Sequence, residues 1–253
     1  MVAKKSTSVL VCVNYRGAER VRKMLDSVPA TTNFGPDHVV IYDDGVPQDI
    51  DEPRGMDWKF SRLLSSTNLG VVGAYNRACN YASALQTDWI VLADDDLVFP
   101  DTWWPEFNNI MQSSLALLIG PISWKSSNRP PQIDGFLEAD TRLAGYCLAF
   151  KRSCYRAIGG FDTTFHHYHG DSDFCVRATV AGMTSYRSHW PLVHHTEHAS
   201  VTENPELAAD RWRDTDTKIF IEKWGESILH NGYRTSSNLW YDRSSKILTG
   251  ASP

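Results

Sequence analysis

Trp89-Ile90-Val91-Leu92-Ala93-Asp94-Asp95-Asp96 is an apolar run that ends abruptly in three carboxylates. Such a run is typical of a central parallel strand whose C-terminal end opens into a crevice, where open α/β sheets bind ligands. If the extended backbone continues, Asp94 and Asp96 point to one side and Asp95 to the other. Like charges about 4 Å apart repel by roughly 4 kcal/mol at an effective dielectric near 20, so this cluster requires a counter-charge.

A hard divalent cation is the natural counter-charge for these three carboxylates. Mg²⁺ and Mn²⁺ take carboxylate oxygens and leave positions for phosphate oxygens. The alternative is a solvated acidic loop or a helix N-terminus. The apolar strand before the cluster and Pro100-Asp101-Thr102 after it favour a binding site.

Length, charge and cysteine usage limit the class of protein. The 253 residues suit one large domain or two small ones, and we favour one. A net charge of −5 indicates no general affinity for nucleic acid or anionic membranes. No apolar run reaches the roughly 18 residues of a transmembrane segment, so we expect a soluble, cytoplasmic chain. The five cysteines are scattered, without a Cys-x-x-Cys motif, which predicts reduced, buried thiols.

Strand and helix patterns alternate through the first hundred residues. We predict strands at 8–14, 38–42, 59–64 and from residue 89, with helices at 17–28 and from about residue 70. This alternation predicts an α/β fold with a mostly parallel sheet, right-handed crossovers and flanking helices.

The pattern loosens beyond Pro100, which indicates a more mixed second half. We predict a helix from Trp103, a strand at 115–119, a Ser/Pro-rich loop at 124–131, a strand at 144–150 and a helix at 151–158. A helix from about Phe174 and a strand within 185–195 follow. The last helix has Asn204 as N-cap and Pro205 at its first position, and it ends near residue 224. The tail after Tyr241 carries no pattern.

In order and spacing, a series of short motifs resembles the family 2 glycosyltransferases. The resemblance covers roughly residues 8 to 200 and is closest for rhamnosyltransferase-like members. The motifs are Val11-Cys12-Val13-Asn14-Tyr15, Tyr42-Asp43-Asp44-Gly45, Asn68-Leu69-Gly70 with Asn76-Arg77, Leu92-Ala93-Asp94-Asp95-Asp96, Ala144-Gly145-Tyr146-Cys147, Gly159-Gly160-Phe161-Asp162, Gly170-Asp171-Ser172-Asp173-Phe174-Cys175-Val176-Arg177, and Val193-His194-His195 with Ser200.

The resemblance implies a GT-A fold, in which a Rossmann-like nucleotide-sugar half is joined to an acceptor half. The single domain 1–253 would then comprise a nucleotide-sugar-binding half at about 8–120, an acceptor and catalytic half at about 121–200, and a C-terminal helical extension at about 201–241. Two departures stand out. The family commonly has Glu-Asp where this chain has Gly170-Asp171. Its donor-binding turn often continues Asp-Gly-Ser, whereas here Gly45 is followed by Val46-Pro47.

The resemblance also implies a Mn²⁺ or Mg²⁺ cofactor that neutralises the leaving diphosphate. Asp96 would be the direct ligand, and Asp94 would face the ribose or the water shell of the metal. His195 is the first choice for an imidazole ligand and His194 the alternative. Two histidines that only make structural hydrogen bonds remain possible.

Several further residues are implied on the donor side of the site. Asp43 and Asp44 would meet the nucleobase and ribose, although they also suit an Asx turn. Asn68 and Gly70 form a loop where ligand approach needs a small residue. Arg77 either pairs with a phosphate or covers the helix surface. Asn14, Asn76, Asp94 and Asp95 complete the expected donor-binding residues.

On the acceptor side, Asp171 occupies the position of the family's general base. Asp173 is the next carboxylate, and both residues could instead cap the helix that starts near Phe174. Gly145, His169 and Trp124 are further acceptor-side candidates. Trp103 and Trp104 share with Trp124 the character of sugar-stacking rings, although most tryptophans are core residues.

The predicted function is an inverting, metal-dependent glycosyltransferase. It would move a sugar from a UDP-, dTDP- or GDP-sugar to a hydroxyl of a saccharide or another acceptor. One alternative is another metal-dependent enzyme that handles nucleotides or phosphates, but no Gly-x-x-x-x-Gly-Lys loop is present. The other is a catalytically silent nucleotide-sugar-binding module, against which the triple Asp and Asp171 argue.

Overall fold

A computed structural model of the chain describes residues 6–33, 35–112, 117–124, 136–196, 202–204, 209–232, 239–242 and 247–249. The strands are β1 (Ser8–Asn14), β2 (His38–Asp43), β3 (Lys59–Leu64), β4 (Trp89–Asp94), β5 (Leu97–Val98), β6 (Leu118–Trp124), β7 (Phe136–Ala139), β8 (Cys147–Lys151), β9 (Ser185–His195), β10 (Leu239–Asp242) and β11 (Ile247–Thr249). The helices are α1 (Ala18–Asp26), α2 (Gly70–Ala84), α3 (Trp103–Met111), α4 (Arg152–Ile158), α5 (Gly170–Val180), α6 (Ala209–Trp224) and α7 (Glu226–Asn231).

The first four long strands form the parallel half of the sheet, in the order β3-β2-β1-β4. β1 pairs in parallel with β2 on one side and with β4 on the other. The chain moves outward from β1 to β2 and β3, and then returns to place β4 on the other side of β1. The order of the strands therefore reverses between β1 and β4. Crevices at such a switch point are where open α/β sheets bind ligands. The predicted α/β fold is confirmed here, because these four strands lie close to the predicted positions and pair in parallel.

The second half of the sheet is mixed, as predicted. β8 joins β4 in antiparallel fashion, and β6, β9, β7, β10 and β11 follow outward. β6 and β9 are parallel to each other. The short strand β5 leaves the main path and pairs with β9, so that Leu97 lies opposite His195. This pairing brings the end of β9 to the turn that follows β4.

The sheet separates two apolar layers because successive strand residues point to opposite faces. Leu10, Ile41 and Val91 pack on the layer that contains α1 and α3. Val11, Val40 and Leu92 pack on the layer that contains α2, α5 and Phe220 of α6. Burial on both faces explains why these strands read as continuous apolar runs.

Three expectations are corrected by the fold. Trp103 and Trp104 are fully buried and pack edge to face in the core, so neither is a sugar-stacking surface. Helix α5 begins at Gly170 and not near Phe174, so Asp171 and Asp173 lie within its first turn. The tail contains β10 and β11, which pair with each other and, through β10, with β7. Short edge strands are held by main-chain hydrogen bonds and need no strong side-chain pattern.

Some expectations concern residues outside the described part of the chain. They concern the predicted helix start at Pro205, the motif residue Ser200, the first residues of the predicted strand 115–119 and most of the predicted loop 124–131. Among the described residues, no helix combines the length and apolarity needed to cross a bilayer. All five cysteines are buried and none forms a disulfide.

Candidate functional site

The candidate site lies where β1, β2 and β4 end. The register places Asn14 opposite Asp43 and Val13 opposite Asp94, so polar residues collect at one edge of an apolar sheet. β4 ends at Asp94, and the backbone turns through Asp95 and Asp96 before β5. Asp95 lies apart from Asp94 and Asp96 in this turn, as expected from an extended chain. Asp95 is held on one side, while Asp94 and Asp96 meet on the other.

Asp95 is held by Arg20, a residue that the sequence did not single out. The buried carboxylate accepts from Nε and from an NH2 of Arg20 at 3.0 and 2.9 Å. Arg20 also pairs with Glu203, in the short segment that precedes α6. A Cβ at Gly17 would collide with both the guanidinium and the carboxylate, so glycine is required beside this ion pair. The pair fixes the acidic turn to α1.

Asp94, Asp96 and His195 each present one ligand atom, and these atoms all lie within 4.8 Å of one another. Asp96 Oδ1 is 3.2 Å from His195 Nε2. The His195 ring stacks on Tyr146, with 4.5 Å between ring centroids. His194 is the adjacent residue on β9, and successive strand residues point to opposite faces. The structure therefore brings His195, the first-choice histidine, to the two aspartates.

This group fits a hard divalent cation. Two carboxylates and one imidazole are donors that Mn²⁺ or Mg²⁺ accept, with positions left for other oxygens. Asp96 Oδ1 is buried, and within the described residues no hydrogen-bond donor reaches it besides the imidazole contact. Burial and the negative charge of Asp96 raise the pKa of Asp94. A bound cation would satisfy the buried oxygen and favour the ionised carboxylates.

Tyr75 and Gly145 connect this group to Asp171. The Tyr75 hydroxyl donates to Asp94 Oδ1 at 2.9 Å. A Cβ at Gly145 would lie 3.1 Å from the Tyr75 hydroxyl and 3.4 Å from Asp171 Cβ, so glycine permits the close approach. The Gly145 amide donates to Asp171 Oδ2 at 2.6 Å. The predicted base thus lies next to the metal-binding group, on α5.

The Asp171 carboxylate is suited to exchange a proton. Burial raises its pKa, although hydrogen bonds from the Gly145 and Ser172 amides oppose the rise. A carboxylate with a raised pKa is a better proton acceptor than an ordinary one.

The two aspartates after β2 lie in different surroundings. Asp43 is fully buried, and it accepts from Asn14 Nδ2 at 2.6 Å and from Arg62 Nε at 2.8 Å. Asp44 accepts from the Leu69 amide at 2.9 and 3.1 Å. Burial raises the pKa of Asp44 to about 6, although the amide hydrogen bonds lower it. Asp43 is therefore committed to protein donors, with Arg62 as a partner that the sequence did not indicate.

The donor-side loop has the predicted small-residue character. Asn68 is exposed and accepts from the Gly70 amide at 2.8 Å, which is an Asx turn. Gly70 has φ +74°, and a Cβ there would lie 2.7 Å from the His166 ring. This position requires glycine for its backbone conformation and for its space.

Five other candidates hold the structure together or lie beside the site. Asn76 donates to the Phe161 carbonyl and accepts from its amide, at 2.7 and 2.8 Å. Arg77 is exposed on α2. Asp173 is fully buried and pairs with Arg177, with Lys223 and with the Trp224 indole, so we assign it a structural role. His169 Nε2 is 2.8 Å from Thr217 Oγ1, and β6 places the backbone of Trp124 opposite His194.

Comparison with known proteins identifies the family. Residues 8–166 match the model of glycosyl transferase family 2. The N-acetylglucosaminyl-diphospho-decaprenol L-rhamnosyltransferase of Mycobacterium tuberculosis (strain ATCC 25618 / H37Rv) is 22% identical over 284 residues, which cover 94% of this chain and 90% of the relative. The galactofuranosyltransferase GlfT1 of Mycolicibacterium smegmatis is 37% identical over 87 residues, or 34% of this chain and 28% of that protein.

Solved structures show the same fold. The mannosyltransferase PcManGT from Pyrobaculum calidifontis, in complex with GDP-Man and Mn²⁺, has a TM-score of 0.56 and 14% identity over 76% of this chain and 57% of that one. GalNAc-T7 with UDP, GalNAc and Mn²⁺ has a TM-score of 0.58 and 11% identity over 76% of this chain and 44% of that one. This chain thus spans little more than half of the first structure. With the family model matching well over half of its residues, the chain belongs to glycosyl transferase family 2.

Proposed function

We propose that this protein is an inverting, metal-dependent glycosyltransferase that moves a sugar from a nucleotide-diphosphate donor to an acceptor hydroxyl. The observation that carries the proposal is the grouping of Asp94, Asp96 and His195 at the switch point of the sheet, with Asp171 next to it through Tyr75 and Gly145. Family membership supports the same function, as do the similar solved structures that contain GDP-Man with Mn²⁺, or UDP and GalNAc with Mn²⁺.

Asp96 and His195 would hold Mn²⁺ or Mg²⁺, with Asp94 beside them. When bound, the cation supplies positive charge that stabilises the departing diphosphate. Arg20 pairs with Asp95 and so holds that carboxylate away from Asp94 and Asp96. The Tyr75 hydroxyl orients the Asp94 carboxylate by donating to it. The protein thereby fixes the acidic turn before the donor arrives.

The nucleoside end of the donor would lie against β1, β2 and the loop before α2. Asp44, whose carboxylate lies at the end of β2, would face the nucleobase or ribose. Asp43 contributes through its partners, because Asn14 and Arg62 already occupy its carboxylate. Gly70 leaves room for the His166 ring where the backbone turns into α2, so its part in donor binding would be to shape this loop.

Asp171 would act as the general base. It takes the proton of the acceptor hydroxyl as the acceptor oxygen bonds to the anomeric carbon. The bond between that carbon and the diphosphate oxygen breaks with its electron pair, so the nucleoside diphosphate leaves from the opposite face. Displacement from the opposite face inverts the anomeric configuration. The raised pKa of the buried Asp171 favours this proton transfer.

A panel of UDP-, dTDP- and GDP-linked sugars, each with Mn²⁺ or with a chelator, tests this proposal. We expect one donor to stabilise the protein when Mn²⁺ is present and not when the chelator is present. The stabilisation should be about 2.7 kcal/mol when the donor concentration is ~100 times its dissociation constant. That donor is then incubated with candidate saccharide acceptors, and the anomeric configuration of the product is read by NMR. A retained configuration, or transfer at full rate with chelator, would contradict the proposal.

A further inference from the structure

A buried carboxylate on α6 contacts the loop that precedes Asp171 but takes no part in the site described above. Asp216 is almost completely buried. It accepts hydrogen bonds from three consecutive backbone amides, those of His166, His167 and Tyr168, at 3.2, 2.8 and 2.8 Å. Charged acceptors make stronger hydrogen bonds than neutral ones. The carboxylate therefore fixes the backbone of loop 166–169, which we call the base loop.

The base loop connects the donor side of the site to Asp171. At its start, the carbonyl of His166 accepts from the Val72 amide at 3.3 Å, and the His166 ring fills the space over Gly70. At its end, His169 adopts φ +61° and its carbonyl accepts from the Asp173 amide at 2.8 Å in the first turn of α5. A shift of the loop would therefore move both the entry to α2 and the turn that carries Asp171.

Helix α6 contacts the base loop and α5 at further points. Trp212 stacks on His166 with ring centroids 3.8 Å apart and 9° between the planes. Thr217 Oγ1 is 2.8 Å from Nε2 of His169. Lys223 pairs with Asp173 at 2.7 Å, one helical turn beyond Phe220 in the core. α6 lies beyond the 8–166 segment that matches the family model, as α5 does.

We infer that Asp216 is a positioning residue for sugar transfer, which acts by holding the base loop so that Asp171 stays aligned with the acceptor hydroxyl. This inference rests on the proposed function. Asp216 has no contact with the reacting atoms in this scheme. Its effect on the rate comes from alignment, and a misplacement of about 1 Å at a reacting centre can cost about 10²-fold in rate.

Asp216→Asn tests the inference, with Asp214→Asn as the matched control. The asparagine keeps the volume but turns an NH₂ donor toward amide donors, so it cannot satisfy all three. Asp214 is exposed on the same helix, so its variant changes the same charge without touching the loop. Two quantities are measured on the full chain. One is amide hydrogen exchange of residues 166–174. The other is the single-turnover transfer rate with the donor selected by the panel, together with its dissociation constant.

We expect faster exchange across the base loop in Asp216→Asn, a single-turnover rate at least about 10-fold lower, and donor affinity within about twofold of the wild type. A first-order single-turnover rate does not depend on the fraction of folded protein, so simple destabilisation would leave it unchanged. Asp214→Asn should match the wild type in all three. Thr217→Val removes one side-chain contact to His169 and should show a smaller change of the same sign, which keeps the test open if Asp216→Asn folds poorly.

Unchanged exchange in residues 166–174, or equal single-turnover rates for the two aspartate variants, would overturn the inference. Failure of the proposed function would show differently, because the wild type itself would then turn over none of the UDP-, dTDP- or GDP-sugars. The exchange comparison would still decide whether Asp216 holds the base loop.

Discussion

Asp171 combines two properties that a general base needs at the scale of one residue. Its carboxylate is anchored by backbone amides of Gly145 and Ser172, and burial raises its pKa. The anchors come from two separate elements, the turn before β8 and the first turn of α5. Its direct anchors are therefore backbone donors, and its orientation follows the backbone of these two elements.

Asp171→Asn should lower the transfer rate by about 10²- to 10⁴-fold, or about 3–5.5 kcal/mol of barrier, while donor affinity stays near the wild-type value. The asparagine keeps the volume and can still accept from the Gly145 amide. In the wild type, the rate should fall on acidification through the raised pKa of Asp171, because only the ionised carboxylate accepts a proton. Paired measurements of donor dissociation constant and single-turnover rate check this. Near-normal turnover in the variant would place the base elsewhere.

Asp44 gives a prediction about stability and pH. Its folded pKa of about 6 is above the 3.8 of an ordinary aspartate, mainly because of burial. Folding is therefore favoured most below pH 3.8, and this contribution is lost as pH rises through about 6. Wild type should lose about 2 kcal/mol more than Asp44→Asn between pH 4.5 and 7.5, as measured by urea unfolding. Equal losses in the two proteins would show that Asp44 titrates normally.

At the scale of elements, the acidic turn is fixed by an ion pair between α1 and the end of β4. Arg20 and Asp95 are both largely buried, with 10% and 3% of their side chains exposed. Removing one partner of a buried pair leaves a buried charge that water does not reach, and typically costs about 3–5 kcal/mol.

Arg20→Met should therefore destabilise the protein by about 3–5 kcal/mol in chemical denaturation. Arg22→Met is the matched control, since Arg22 lies on the same helix but is 44% exposed, and its ion pairs are with the exposed carboxylates of Glu19 and Asp49. Such exposed pairs contribute less than about 1 kcal/mol. Adding Asp95→Asn to Arg20→Met should restore most of the loss. A similar cost for the two arginine variants would show that the Asp95 pair has no special role.

The sequence indicates the elements of the parallel half well, because strands buried on both faces must be continuously apolar. It also indicates Asp94 and Asp96, which end an apolar strand. The family resemblance indicates His195, and the β5–β9 pairing brings it to them although β9 is not adjacent to β4. Arg20, Tyr75 and Asp216 lack such a signal. Each is one polar residue on a helix, and its role depends on which strand end or loop packs against that helix. β10 and β11 were missed because main-chain pairing defines them.

At the scale of the whole molecule, one sheet positions the residues proposed to bind the donor and the residue proposed to act as the base. Its parallel half ends in the donor-side carboxylates, and its mixed half returns His195 through the β5–β9 pairing and supports Asp171 on α5. Helix α6 then contacts loop 166–169 and α5, and packs Phe220 into the core. The site is therefore assembled from segments distant in sequence, and its function depends on the complete sheet.

In the proposed function, the ends of β4 and β9 hold a divalent cation for a nucleotide-diphosphate donor. Mn²⁺ titrations followed by electron paramagnetic resonance, in the presence of UDP, dTDP or GDP, test it most directly. Asp96→Asn keeps the side-chain volume but removes the charge, and circular dichroism checks that it folds. Asp101→Asn, an exposed aspartate just beyond β5, is the control.

We predict that the wild type and Asp101→Asn bind one Mn²⁺ with equal affinity in the presence of one of these nucleotides, and that Asp96→Asn weakens this binding at least about 100-fold. Changes to residues that merely support a metal ligand typically cost about 10- to 100-fold, so loss of a direct ligand should cost at least as much. Undiminished Mn²⁺ binding by a folded Asp96→Asn protein would contradict the account.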